Sequence, residues 1–223
     1  MNVKRMIVTF STLLALAATG IPAWGQVAKP RSGADVNLVA MLNEAMANPE
    51  KRAAMAKAGA KAASFCANCH GDGGNSVKPE VPNLAGQNAS YLMEQMLQYM
   101  DGRRRNSEFK QRLIKVLSPA EKVGMILYFS HQPVAYKPAT NIALAATGKV
   151  VYKRDCADCH MDDGHGTEKF ARVAGQQAEY LNQTIRTYRD GASTRSNGQM
   201  TASLRGISDA DIAAVVAYVA SMK

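Results

Sequence analysis

Cys66-Ala67-Asn68-Cys69-His70 and Cys156-Ala157-Asp158-Cys159-His160 are the two stretches that decide how this chain folds. Each places two thiols three positions apart and a histidine directly after the second thiol. The two stretches hold all four cysteines of the 223-residue chain. Disulfides are the ordinary expectation for an even number of cysteines in an exported protein, but they would not explain a histidine repeated at the same place.

This spacing is typical of covalent haem attachment. Two thiols can add to the two vinyl groups of one porphyrin, and the adjacent histidine is then held beneath the iron as its proximal ligand. A redox disulfide would need a βαβ context, and a shared zinc site would not require two complete copies of the motif. The sequence therefore predicts two covalently bound haem c groups, attached through Cys66, Cys69, Cys156 and Cys159, with His70 and His160 as axial ligands.

The two motifs lie in an internal repeat. Leu84-Ala85-Gly86-Gln87 returns as Val173-Ala174-Gly175-Gln176, and Tyr99-Met100-Asp101-Gly102 returns as Tyr188-Arg189-Asp190-Gly191. The offset between the copies stays at 89 or 90 residues. Such a duplication predicts two domains of similar fold, each near the minimal size for a domain.

The repeat predicts an all-α fold, because no stretch alternates as a strand would. In each copy one helix leads into the motif (49–64 and 143–153) and one ends at a C-cap glycine (89–100 and 178–189). A third helix begins after Ser118 or Ser208, with an acidic residue three positions on. The expected organisation is a signal peptide (1–25), an N-terminal helical extension (26–48), a first domain (49–131), a linker (132–142) and a second domain (143–223).

The first 25 residues have the order of a secretory signal. Lys4 and Arg5 precede an apolar run from Met6 to about Ala18, and a helix breaker and small residues follow. The run is short for a bilayer span, although an uncleaved anchor is the alternative interpretation. We expect cleavage after Gly25, export, and no stable membrane insertion.

The composition is basic. Lys and Arg number 27 against 18 Asp and Glu, a formal net charge of +9, of which the predicted signal contributes Lys4 and Arg5. A basic surface favours nucleic acid, an anionic membrane or an acidic protein partner. Export argues against nucleic acid, so we expect redox proteins with an acidic docking surface.

From about Ala58 to Lys223 the chain resembles the cytochrome c4 family, which consists of two class I cytochrome c domains in tandem. The resemblance is carried by the two haem motifs, by Pro82–Gln87 and by the final Ser-Asp-x-Asp-Ile helix. The second copy departs from the family pattern, because Met161 stands after its haem motif where the first copy has a glycine. It implies a periplasmic electron carrier. It also implies that the Pro82 carbonyl accepts the N–H of the proximal histidine, with Ala171 as its counterpart.

The family places a methionine on the distal side of each iron. Met200, after the middle helix of the second copy, is the candidate there, with a packing residue of the loop as the alternative. In the first copy Lys110 stands opposite Met200. A neutral lysine amine can bind ferric iron, because coordination displaces its proton.

Other ligands for the first haem stay open at this point. They are an open distal site, Met100 and His131; Met125 is expected in the core, and His165 in a surface turn. A nitrogen ligand would lower the potential of this haem relative to histidine–methionine ligation. The sequence therefore predicts two unequal haems.

The predicted function is electron transfer from an upstream donor enzyme to a downstream oxidase or cytochrome. Serving as acceptor for a thiosulfate-oxidising enzyme is one such role. The alternative is a haem enzyme or a small-ligand-binding protein acting at the first haem. Arg103-Arg104-Arg105 is either a solvated loop cluster or a functional group of charges near the first haem, which would form a docking patch for an acidic partner or screen propionate charge.

Overall fold

The computed structural model describes residues 33–192 and 197–223, and within these ranges it is helical and contains no strand. The helices are α1 (Gly33–Ala47), α2 (Pro49–His70), α3 (Ala89–Met100), α4 (Glu108–Val116), α5 (Pro119–Ser130), α6 (Ile142–Asp155), α7 (Ala157–His160), α8 (Ala178–Arg189), α9 (Gly198–Ser203) and α10 (Asp209–Val219). The predicted all-α fold is confirmed. The predicted signal peptide lies outside the described residues.

None of the helices in the described ranges is long and apolar enough to cross a membrane.

Local signals set most of the helix boundaries. Asn48 and Asn141 cap α2 and α6 by accepting a backbone N–H, from Lys51 at 3.0 Å and from Leu144 at 2.9 Å. The α2 helix runs six residues beyond its predicted end and includes the whole first motif. It ends because Gly71 turns the chain at φ 75°.

The second copy differs at the equivalent place. The chain leaves helical geometry at Cys156, which separates α6 from the short α7. Met161 follows the second motif with φ 64° and ψ 163°, a conformation that ordinarily needs glycine. The Tyr152 hydroxyl donates to the Met161 carbonyl at 2.6 Å and holds this strained residue in place.

Each domain is built on one close helix crossing. A Cβ added to Gly59 of α2 would lie 1.9 Å from the carbonyl carbon of Gly124 in α5. A Cβ on Gly148 of α6 would lie 1.9 Å from the carbonyl oxygen of Ala214 in α10. The backbones therefore touch, and only glycine permits this approach.

The hydrophobic core of the first domain contains residues of α2, α3 and α5, among them Leu97, Val123 and Leu127. The α1 helix adds a further layer, because Leu38 and Leu42 are buried in the same core. The predicted extension is thus helical over its described part and packs on the first domain. The second core is built in the same way from α6, α8 and α10.

The two domains meet through a pair of buried carboxamides at equivalent repeat positions. Gln87 donates to the Arg172 carbonyl and accepts the Arg172 N–H, both at 2.8 Å. Gln176 donates to the Asn83 carbonyl at 3.1 Å and accepts the Asn83 N–H at 2.6 Å. Since Asn83 and Arg172 are themselves repeat partners, the interface has an approximate twofold symmetry.

Candidate haem-binding cleft

One continuous cleft contains the side chains of both motifs. Its lining residues come from both domains and include Cys66, Cys69, His70, Lys110, Cys156, Cys159, His160 and Met200. Most of the others are apolar, such as Leu92, Ile114, Ile126, Leu181 and Val215. An apolar cleft edged by paired thiols and a histidine suits a porphyrin, which is a large apolar disc.

Both motif histidines are oriented by a backbone carbonyl. The Nδ1 atom of His70 donates to the Pro82 carbonyl at 2.8 Å, and Nδ1 of His160 donates to the Ala171 carbonyl at 2.8 Å. The bond length is the same although Ala171 replaces a proline. With Nδ1 protonated, the lone pair on Nε2 is left for a metal, which is the arrangement that ligating histidines ordinarily have.

Burial keeps these histidines neutral. It lowers the pKa of His70 to about 4, and the positive charges of Lys110 and Arg104 add to this effect against the opposing bond to Pro82. Burial also lowers the pKa of His160. A neutral imidazole is the form that binds iron, so the donor set fits haem.

None of the four cysteines is paired in a disulfide, so all four are available for attachment to haem. In the first motif Cys66 lies towards the core, with its Sγ 3.4 Å from the Met125 Sδ, whereas Cys69 is exposed. Burial raises the pKa of the Cys66 thiol to about 11 and that of Cys156 to about 12. One thiol of the first motif therefore lies deep in the cleft and the other at its solvent edge.

Lys110 and Met200 occupy the same position in their domains. Lys110 donates its backbone N–H to the Ser107 side chain at 3.2 Å, at the start of α4. Met200 donates its N–H to the Asn197 side chain at 3.0 Å, at the start of α9. Each is thus the third residue after a capping residue, and each lines the cleft.

The alternative ligands of the first haem lie elsewhere. Met100 packs against the first core and is not among the residues that line the cleft. His131 is exposed at the end of α5, where its Nδ1 lies 2.8 Å from the Leu127 carbonyl. His165 lies at the domain interface, where its carbonyl accepts from Asn88 at 3.0 Å.

Sequence reasoning missed Met96, which is buried and lines the first half of the cleft. Its repeat partner is Ile185, so the repeat gives it the pattern of a core residue. Met125 is also buried and lines the cleft, close to Cys66. The signal that could have found Met96 is its place on the apolar face of α3, one turn before Tyr99.

The three consecutive arginines do not form one surface cluster. Arg103 pairs with Asp101 at 2.6 Å and with Glu94 at 3.0 Å. Arg104 is buried at 7% exposure and lines the cleft, and its Nε has no hydrogen-bond partner. Of the three, only Arg105 is exposed. The buried Arg104 offers an unused donor to an anionic group in the cleft, such as a haem propionate.

Comparison with known proteins places these features in one family. The cytochrome c family model matches residues 56–122 and 145–223. The cytochrome c4 of Pseudomonas aeruginosa is 33% identical over 178 residues, covering 74% of this chain and 87% of that protein. The thiosulfate dehydrogenase electron acceptor of Thiomonas intermedia is 32% identical over 175 residues, covering 71% of this chain and 79% of that protein.

A solved structure agrees with this placement. Reduced cytochrome c4 from Pseudomonas stutzeri superposes with a TM-score of 0.68 at 28% identity, covering 75% of this chain and 98% of the other. Two matched domains, each with one haem motif, account for two haem groups. The chain therefore belongs to the cytochrome c4 family of electron carriers, with two tandem cytochrome c domains and two covalently bound haem c groups.

Proposed function

We propose that this protein is a periplasmic electron carrier whose two haems have different distal ligands and different potentials. Haem 1 is attached through Cys66 and Cys69, with His70 as its proximal ligand. Haem 2 is attached through Cys156 and Cys159, with His160 as its proximal ligand. Met200 is the distal ligand of haem 2 and Lys110 that of haem 1. The observation that carries this assignment is the equivalent place of Lys110 and Met200 three residues after their capping side chains.

Bound haem iron supplies reversible one-electron transfer between the ferrous and ferric states. The protein holds the proximal imidazoles in the correct tautomer through Pro82 and Ala171. Arg104 is a buried cation in the first half of the cleft and would offset the charge of a haem propionate there. A nitrogen ligand lowers the potential of a haem relative to methionine, so Lys110 would make haem 1 the entry point for electrons and Met200 would make haem 2 the exit.

The donor that we propose is a sulfur-compound-oxidising enzyme of the thiosulfate dehydrogenase type. Support comes from the relative in Thiomonas intermedia, which bears the name of an electron acceptor for such an enzyme. Mixing the oxidised protein with thiosulfate and a purified thiosulfate dehydrogenase should reduce both haems. Reduction no faster than with thiosulfate alone would remove this donor. None of the comparisons supports a haem enzyme, the alternative function.

The ligand assignment is tested by spectra of the oxidised protein beside Lys110→Met. Methionine-ligated ferric haem has a near-infrared sulfur-to-iron charge-transfer band, so wild type should show it from haem 2 alone. Lys110→Met should double its intensity, and low-temperature electron paramagnetic resonance should lose the signal of the nitrogen-ligated haem. Met200→Lys is the reciprocal variant and should remove the band.

The outcome that contradicts the assignment is a pair of identical spectra for wild type and Lys110→Met. Met96→Leu serves as the control, because Met96 is a further thioether in the first half of the cleft. If the Met96→Leu variant halves the band of the wild type, Met96 rather than Lys110 is the ligand. A high-spin ferric signal in wild type would show an open first site.

A further inference from the structure

Two phenylalanines are exposed where the cleft of haem 1 meets solvent. Phe65 is 64% exposed and Phe109 is 70% exposed, and both line the cleft. Phe65 directly precedes the attachment residue Cys66, and Phe109 directly precedes Lys110. Both rings are more than half exposed, and they stand at the solvent edge of the haem cleft, where a partner can contact them.

The second domain shows that the fold does not require them. At the equivalent positions it has Asp155 and Gln199. The α4 helix also continues further than its counterpart, with nine residues against six in α9. It ends at Val116, which is 79% exposed and corresponds to Gly206. At these three positions the second domain therefore has no apolar side chain, whereas the first domain has three.

Cations accompany these apolar residues. Arg112 lies three residues after Phe109 and four before Val116, a spacing that places all three on one side of α4. Arg112 forms an exposed pair with Glu108 at 2.9 Å, and Lys115 beside it is also exposed. Glu108 offsets one of these charges, so Glu108, Arg112 and Lys115 together leave a net positive charge on this part of the helix.

The net charge also distinguishes the two domains, because the first domain is the more positive of the two. Residues 49–131 contain twelve Lys and Arg against seven Asp and Glu, whereas residues 143–223 contain ten against nine. Around the second motif, Asp155, Asp158 and Asp163 stand where the first has Phe65, Asn68 and Gly73. A partner attracted to one haem edge is thus not attracted equally to the other.

We propose that Phe65, Phe109, Arg112, Lys115 and Val116, here called the haem 1 face, form the docking surface for an acidic electron donor. This inference rests on the carrier function proposed above. The partner is the electron-donor protein proposed above, and it surrounds an apolar contact area with carboxylates. On docking, its reduced centre loses one electron and the ferric iron of haem 1 gains it. The apolar residues exclude water at the contact, and the cations accelerate the encounter.

The test uses the full-length protein with both haems oxidised, mixed in a stopped-flow instrument with a reduced plant-type [2Fe–2S] ferredoxin as the acidic probe. Phe65→Asp with Phe109→Gln gives the haem 1 face the residues of the second domain. Arg112→Glu with Lys115→Glu reverses its charge and leaves the attachment motif untouched. The matched control is Val150→Asp with Ile142→Gln, since these residues of α6 are 67% and 79% exposed and do not line the cleft.

Each pair of changes on the haem 1 face should lower the second-order rate constant about tenfold. The control should stay within about twofold, as expected of surface positions outside an interface. Added salt should slow wild type and leave the charge-reversed variant nearly unaffected. Equal rates for wild type and both haem 1 face variants would overturn the inference, as would an equal loss in the control. Sedimentation of wild type as a dimer that Phe65→Asp with Phe109→Gln dissociates would assign the face to a second copy instead.

Reduction by dithionite separates the two proposals. If dithionite reduces both haems reversibly in every variant while the ferredoxin rates do not change, the docking inference fails and the carrier function stands. If dithionite does not reduce both haems of wild type reversibly, the carrier function itself fails.

Discussion

Replacing Gly59 by alanine tests whether the contact between α2 and α5 holds the first domain together. The added Cβ would lie 1.9 Å from the Gly124 carbonyl carbon and 2.4 Å from the Met125 nitrogen. Non-bonded carbon atoms need roughly 3.5 Å, so the two helices would have to separate by about 1.5 Å. Both neighbours are backbone atoms of a helix, and neither can rotate away as a side chain would.

The expected cost follows from this separation. Forcing an extra methyl into a packed core ordinarily costs about 1–3 kcal/mol, and the upper end applies here because the obstacle is backbone. Alanine recovers about 1 kcal/mol through its higher helix propensity. A net loss of about 2 kcal/mol should lower the midpoint of thermal unfolding of this domain by about 8–16 °C.

The assay is thermal unfolding of the full-length protein with both haems, followed by the absorption of each haem. Gly33→Ala is the control, because a Cβ at the start of α1 meets nothing within 4 Å. Gly148→Ala should destabilise the second domain in the same way, since its Cβ would lie 1.9 Å from the Ala214 carbonyl oxygen. A midpoint for Gly59→Ala equal to or above that of wild type would refute the reasoning.

Three further changes have defined outcomes. Met161→Gly should raise the denaturant midpoint of the second domain, because it relieves about 1–3 kcal/mol of backbone strain. A lower midpoint would show that the Met161 side chain stabilises the domain by more than its backbone strain destabilises it. Hydrogen bonds from the backbone and hydroxyl of Ser118 lower the pKa of Glu121. The ionised Glu121 therefore stabilises the folded protein fully above the unfolded-state pKa of about 4.3, and this stabilisation is lost as the pH falls through the folded-state pKa. Denaturant unfolding should therefore separate wild type from Glu121→Gln at pH 7 but not at about pH 3, and a pH-independent difference would contradict this. Gln87→Ala or Gln176→Ala should weaken the docking of the two domains by about 1–3 kcal/mol, because a buried N–H and a buried carbonyl lose their partners. The linker at 132–142 should then be cleaved faster by a protease. Unchanged proteolysis in both variants would show that the carboxamides do not hold the domains together.

The features that could be predicted from the sequence are those encoded locally. A thiol pair with an adjacent histidine, a serine before a helix and a glycine after one are each read from a few neighbouring residues. The capping box at Ser118 is present in full, with Glu121 returning a bond at 2.8 Å. At Ser208 the return bond is replaced by a contact between Asp211 and Arg154 at 3.4 Å, because the shorter aspartate reaches a neighbouring helix instead.

The features that could not be predicted depend on distance in space. Gly59 and Gly148 are ordinary residues of helical segments until the partner helix crosses them. Arg104 has the same sequence context as Arg103 and Arg105, yet only it enters the cleft, because Asp101 and Glu94 engage Arg103. The repeat aligned Lys110 with Met200, because it compares two copies of the same fold within one chain. Met96 escaped notice since its repeat partner is an ordinary core residue.

The repeated Ala-Gly-Gln motif, which contains Gln87 and Gln176, links the domain interface to the histidines of the two haem motifs. Gln176 binds the backbone of Asn83, and Asn83 directly follows Pro82, whose carbonyl orients His70. In the other direction Gln87 binds the backbone of Arg172, next to the Ala171 carbonyl that orients His160. Each domain therefore holds the segment that positions the other domain's histidine. Because a proximal histidine tunes its iron through this carbonyl bond, loosening the interface should shift the potentials of both haems together. A shift confined to one haem in Gln87→Ala would show that the two anchors are independent.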